Sequence, residues 1–154
     1  MRFEITARNH KVLNRKLTTL EKRVRSIREG ALRVYERFRE IEQNQFTRQG
    51  AGPSGPWAPL HPRTLAKKER LGHDPRRLHA TLKLRPSLTR RGTRNAIFRA
   101  NRDGIFMGTR DPKAGYHQKG TKKIPARPPI DLFEQDKREM IDIFEEWLLE
   151  GVTR

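Results

Sequence analysis

The side chains able to do chemistry are scattered along this chain. Its five histidines are His10, His61, His73, His79 and His117. No two are four apart, the spacing that lets two imidazoles share a metal on one helix face. With no cysteine there is no thiolate zinc site, cysteine nucleophile or disulfide. The acids are densest after residue 130, where the solvated face of a helix accounts for them better than a catalytic carboxylate pair. No phosphate-cradling GxxxxGK[ST] or GxGxxG run occurs. The expectation is a non-enzyme with no catalytic residue, no metal and no cofactor.

Two positions invite a sharper reading. His117, between Tyr116 and Gln118, has the chemistry of an acid or base, but its expected task is to hydrogen-bond the backbone and hold a loop. Arg127, within IPARPP, presents a planar fork stiffened by flanking prolines. It is read either as a clamp on a neighbouring carboxylate or as a solvated loop arginine.

Charge is the strongest compositional signal. The net charge is +17. Residues 1–62 hold 13 basic and 6 acidic side chains, residues 63–127 hold 19 and 4, and residues 128–154 hold 3 and 8, so a cationic middle precedes an acidic end. Arg76, Arg77, Lys83, Arg85, Arg90, Arg91, Arg94 and Arg99 form a dense tract suited to phosphates or to an acidic protein face. Aromatics make up 7% and do not interleave with the arginines, so the stacking platforms of single-strand binders are missing. No helix-turn-helix or zinc-finger pattern is visible.

A length of 154 residues fits one domain. With 33% of residues hydrophobic and 34% charged, there is too little apolar surface to bury every segment, so part of the chain is expected to order only against neighbours. No signal-peptide stretch and no run of about 18 apolar residues appears, which predicts a soluble protein with no membrane partner and no export address. RFEITA alternates Phe3, Ile5 and Ala7 with polar residues, the pattern of a short strand. From Leu13, apolar residues at 17, 20, 24, 27, 31, 34, 38 and 41 draw one stripe. Gly30 interrupts it, so the element is one long helix or two meeting there; the stripe keeps phase across Gly30, which favours one long helix. That stripe either packs on the protein's own sheet, the expected outcome, or against other copies.

GAGPSGPWAPLHP must be a loop, in which Trp57 is expected to pin the loop to the core rather than anchor a partner. A short basic helix opens at Pro62 and closes at Gly72, and LHATLKLRPSLT is poorly periodic. Asp103-Gly104 suits a tight turn joining strands 96–100 and 104–109, a hairpin with basic residues outward. Leu132, Phe133, Met140, Ile143, Phe144, Trp147 and Leu148 mark a C-terminal helix ended by Gly151 and expected to cover the sheet.

The order of Phe46, GPWAPLHPRTLAKK, TLKLRPSLT, a hairpin ending MGT, YHQKG and IPARPPIDL resembles the phage virion morphogenesis and tail completion family. Trp57, Pro59, Leu60, Thr64, Lys67, Leu84, Gly108, Thr109, Tyr116, His117, Gln118, Gly120, Pro125, Ala126, Arg127 and Pro128 fit its pattern. Leu82 stands where that pattern has glycine, and Gly115-Tyr116-His117 shortens its Tyr-Ala pair before a His-Gln-Xaa-Gly turn. The resemblance implies a structural virion protein assembled in the host cytoplasm. It would join head to tail, or complete the tail, as a homo-oligomeric ring at the neck. Its partners would be itself, other phage neck and tail proteins and, nonspecifically, the genomic DNA in the channel. Trp57, Leu60, Tyr116, His117, Gly120, Pro125, Arg127 and Pro128 would be its loop-anchoring or partner-facing residues.

The resulting expectation is a single α+β domain: a strand and long helix over 1–48, a motif-bearing region over 49–130 and a helix over 131–150. A sequence-nonspecific nucleic-acid-binding protein using the Arg76–Arg99 tract is the alternative. A ribosome-associated or chaperone-like basic protein is a third class that composition permits.

Overall fold

A computed structural model of the chain describes residues 10–79, 83–101, 103–150 and 152. The strand read in RFEITA, with Phe3, Ile5 and Ala7, lies outside the described residues, as does Leu82. The fold is α+β: the described residues form six helices and one antiparallel hairpin, on which the helices spanning Arg28–Arg48 and Leu84–Thr89 pack.

The long apolar stripe is carried by two helices, α1 (His10–Arg25) and α2 (Arg28–Arg48). They part at Ser26 and Ile27, with Ser26 N still donating to the Lys22 and Arg23 carbonyls at 3.1 and 3.0 Å. Gly30 is therefore not the break. Its missing side chain instead admits the Trp147 ring, since a Cβ there would lie 2.2 Å from Trp147 Cε3. The stripe divides with the helices. Ala31, Val34 and Phe38 are buried, whereas Leu13, Leu17 and Val24 are 51%, 53% and 59% exposed.

Val34, Tyr35, Phe38 and Phe46 of α2 form the core with Trp57, Leu84, Leu88 and Met140. β1 (Ala96–Asn101) pairs with β2 (Gly104–Thr109) in the register Ala96 to Thr109 through Asn101 to Gly104. A lone hairpin is marginal in water. This one leans on α2, with Phe98 stacked on Tyr35 at 4.7 Å between ring centroids and Ile105 and Met107 against the core. Arg99 points outward and lies over the Phe106 ring at 4.5 Å.

The poorly periodic segment holds a six-residue helix, α4 (Leu84–Thr89), wedged between α2 and the hairpin. So short a helix owes its stability to packing rather than propensity. Leu84 and Leu88 are buried, and the Ser87 and Thr109 hydroxyls share a 2.6 Å hydrogen bond.

The C-terminal helix, numbered α6 (Glu134–Leu149), packs along α2 and not over the sheet as the sequence suggested. The glycine gap on α2 receives Trp147, and Arg37–Glu139 at 2.8 Å and Arg33–Glu150 at 3.1 Å join the two helices. Arg23 at the end of α1 donates to the Trp147 carbonyl, its guanidinium 5.5 Å from the Trp147 ring, and so ties α1 to the same spot.

Candidate partner-binding groove

Trp57 and Arg127, in motifs 70 residues apart, meet through backbone carbonyls. Trp57 packs edge-on against Phe46 at 5.4 Å, and its Nε1 donates to the Pro128 carbonyl at 2.9 Å. Buried Gln45 of α2 donates to the same carbonyl at 3.0 Å, while its Oε1 accepts from the Ala51 and Gly52 amides. Arg127 Nε and Nη2 donate to the Ala58 and Pro59 carbonyls at 2.7 and 2.8 Å. The fork is thus a buried clamp, and it grips two carbonyls rather than a carboxylate. Burial, then repulsion from Arg77, holds the Arg127 pKa below its ordinary value.

The YHQKG segment is not an open turn but the end of a helix, α5 (Pro112–Lys119). Asp111 caps it by accepting from Lys113 N at 3.0 Å, and Pro112 fills its first position. Gly120 follows with φ 72°, and a Cβ there would meet Ala126 N at 2.8 Å, so glycine lets the PAR segment pass close by. His117 holds the loop with its main chain: Arg127 N donates to the His117 carbonyl at 2.8 Å. Its ring does not share in this, because Nδ1 is buried without a hydrogen-bond partner among the described residues. Burial, and next the Arg127 charge, lowers the pKa of that imidazole. Gln118 supplies the side-chain tie instead, donating to the Ile130 carbonyl at 2.8 Å and accepting from its amide at 3.3 Å.

These ties shape an open groove of about 690 Å³. Pro59, Leu60, Leu78, Leu84, Ile124 and Pro125 give it an apolar lining, exposed Lys113 and Lys123 add a cationic edge, and buried Lys68 and Arg127 with half-buried His117 complete the wall. One wall is α3 (Pro62–Arg70), whose N-terminus is capped by His61 Nδ1 accepting from Arg63 N at 3.2 Å. Buried Lys68 donates to the Asp74 and Arg76 carbonyls at 2.8 and 2.6 Å and fixes the loop beyond α3. Burial lowers the pKa of its amine.

Among the described residues, no carboxylate lines the groove. It therefore offers an anionic, partly apolar segment a floor to bury against and cations to pair with. Leu60, His117, Pro125 and Arg127 of the sequence-read residues line it; Trp57, Pro128 and Gly120 stand behind as supports; Tyr116 is exposed outside it. Leu78, Lys68, Lys113, Ile124 and the Gln45 support were not picked out from sequence. The Asp111-Pro112 pair, a helix-start signal that the sequence reading passed over, is the feature from which α5 and hence Lys113 could have been found.

The basic tract is not one continuous face. Arg76 pairs with Asp74, holding that carboxyl well below the usual range, and Arg77 donates to Gln49 Oε1 at 3.1 and 3.2 Å from its amide and guanidinium. Lys83, Arg90, Arg91 and Arg94 are exposed and Arg85 is half-buried, around α4 and the approach to the hairpin. Arg99 lies on the outer hairpin face.

Among the described residues, no group of three or more His, Asp or Glu could hold a metal ion, and no helix is long and apolar enough to cross a membrane. No curated protein and no solved structure matches the chain. A family model does match, over residues 8–149, nearly the whole length and including every element that builds the groove. The chain belongs to the phage virion morphogenesis family, which makes it a structural or assembly component of a phage virion.

Proposed function

We propose that this protein completes the tail or joins head to tail at the virion neck, acting as an oligomeric ring assembled in the host cytoplasm. The observation that carries this reading is the convergence of the family-pattern residues. Leu60, Thr64, Leu84, His117, Pro125 and Arg127 come from four separate stretches of chain and line one groove held by buried hydrogen bonds. A surface built this way, apolar within and cationic at its edge, fits an acidic segment of a neighbouring neck or tail protein. Its role is docking and not catalysis.

The test is complementation of a phage lacking this protein, read by electron microscopy of the lysate. Free heads beside free or over-long tails, restored to joined particles by the wild-type chain, support the reading. Intact joined particles without the protein overturn it.

The exposed Arg90, Arg91 and Arg94 favour a second reading, nonspecific contact with DNA. Phosphate binding weakens steeply with salt. Duplex affinity that falls with salt and drops when these three become glutamine would favour it, and binding confined to acidic protein partners, with none to duplex, would exclude it.

A further inference from the structure

α1 has no buried residue, yet it carries Leu13, Leu17 and Val24 on one face, more than half exposed. Leu20, in the same row, is half-buried, and α1 meets α6 of its own chain at its C-terminal end, where Arg23 reaches Trp147. An exposed apolar row of this kind marks an interface. Its charges say what kind. α1 holds six basic residues and one acid, Glu21, which pairs with Arg25 at 2.6 Å. Lys11, Arg15, Lys16 and Lys22 have no ion pair among the described residues.

A second α1 cannot cover the stripe well, because it would set one cationic helix against another. Among the described elements of this +17 chain, the strongly acidic one is α6, with six acids against two basic residues. Its outer face exposes Ile141 at 55% and, just before its first turn, Phe133 at 47%. Asp142, Glu145 and Glu146 are exposed and have no ion pair among the described residues. Both helices have 16 residues, so each is about 24 Å long. On α1, Lys16 is three residues after Leu13 and four before Leu20, on the stripe's own face; on α6, Glu145 is four residues after Ile141.

We propose that the apolar face of α1 docks on the acidic outer face of α6 in a second copy of this chain. Two different surfaces meet in this contact, so an open chain of copies keeps one unused α1 at one end and one unused α6 at the other until it closes on itself. Repetition of such a head-to-tail contact gives a ring when the rotation closes. The proposal rests on the ring reading above and specifies the surfaces that form the ring.

Light scattering on the full-length chain tests it, with Leu17→Asp, Lys16→Glu, Glu145→Lys and the double variant Lys16→Glu/Glu145→Lys. All these positions lie outside the core, so circular dichroism and melting temperature should match wild type. The expected result is a discrete wild-type oligomer, dissociation to monomer by Leu17→Asp, weakened assembly by each single charge reversal, and recovery by the double reversal. A wild-type oligomer untouched by Leu17→Asp and Lys16→Glu overturns this interface while leaving the ring in place. A monomeric wild-type chain overturns both ring and interface, and the complementation assay then decides the tail role separately.

Discussion

The Trp147 indole lies against the backbone of Gly30, so close that a Cβ on residue 30 would fall 2.2 to 2.8 Å from three of its ring carbons. Glycine in a helix interior costs about 1 kcal/mol relative to alanine. Here that cost is offset by a fully buried tryptophan that joins α2 to α6 and receives Arg23 of α1. Gly30→Ala should therefore destabilise the protein by about 1 to 3 kcal/mol despite its better helix propensity, through overpacking. Urea unfolding followed by tryptophan fluorescence measures this, and an alanine variant more stable than wild type would refute the packing account.

Arg127 is the clamp between the two halves of the groove. Arg127→Ala leaves the Ala58 and Pro59 carbonyls without their donors and should cost about 3 kcal/mol. Arg127→Lys retains the charge but not the fork, and should recover less than half of the loss. Comparing the three chains in chemical denaturation separates fork geometry from simple charge.

Glu42 is fully buried, and neither carboxylate oxygen has a partner among the described residues. Burial, reinforced by Asp131, pushes its pKa from 4.5 up to about 9. The folded chain thus keeps a proton that the unfolded chain releases above about pH 4.5. Stability should be unaffected by this group at lower pH and should fall as pH rises from about 4.5 towards 9, by at most about 1.4 kcal/mol per unit. Glu42→Gln should flatten that decline. Melting curves between pH 4 and 9 check the sign, and equal slopes for the two chains would show that Glu42 does not titrate this way.

Within the groove, Leu60→Asp removes an apolar anchor and puts an acid where an acidic segment should dock. Lys123→Glu reverses a rim charge. Losing about 1.5 kcal/mol of contact corresponds to about tenfold in affinity. Each variant should lower the yield of infectious particles by about that factor with an unchanged melting temperature. Full titre from both variants would remove the groove from the docking role.

The sequence by itself determined what depends on near neighbours. The hairpin followed from the Asp103-Gly104 turn pair between two short strand-like runs, α3 from Pro62 and Gly72 at its ends, and the apolar faces of α2 and α6 from their helical spacing. The ordered motifs from Trp57 to Pro128 carried the family. Tertiary structure decided everything that rests on contacts between distant segments. No proline or glycine marks the parting of α1 from α2 at Ser26 and Ile27, and periodicity alone could not tell that Phe38 is buried while Leu17 is exposed. Nor could it show that α6 packs on α2, since an amphipathic pattern names a buried face without naming what covers it. The groove was out of reach for the same reason: it exists because Arg127 reaches the carbonyls of residues 58 and 59 across nearly 70 positions of chain, a pairing of backbone groups that no side-chain spacing encodes.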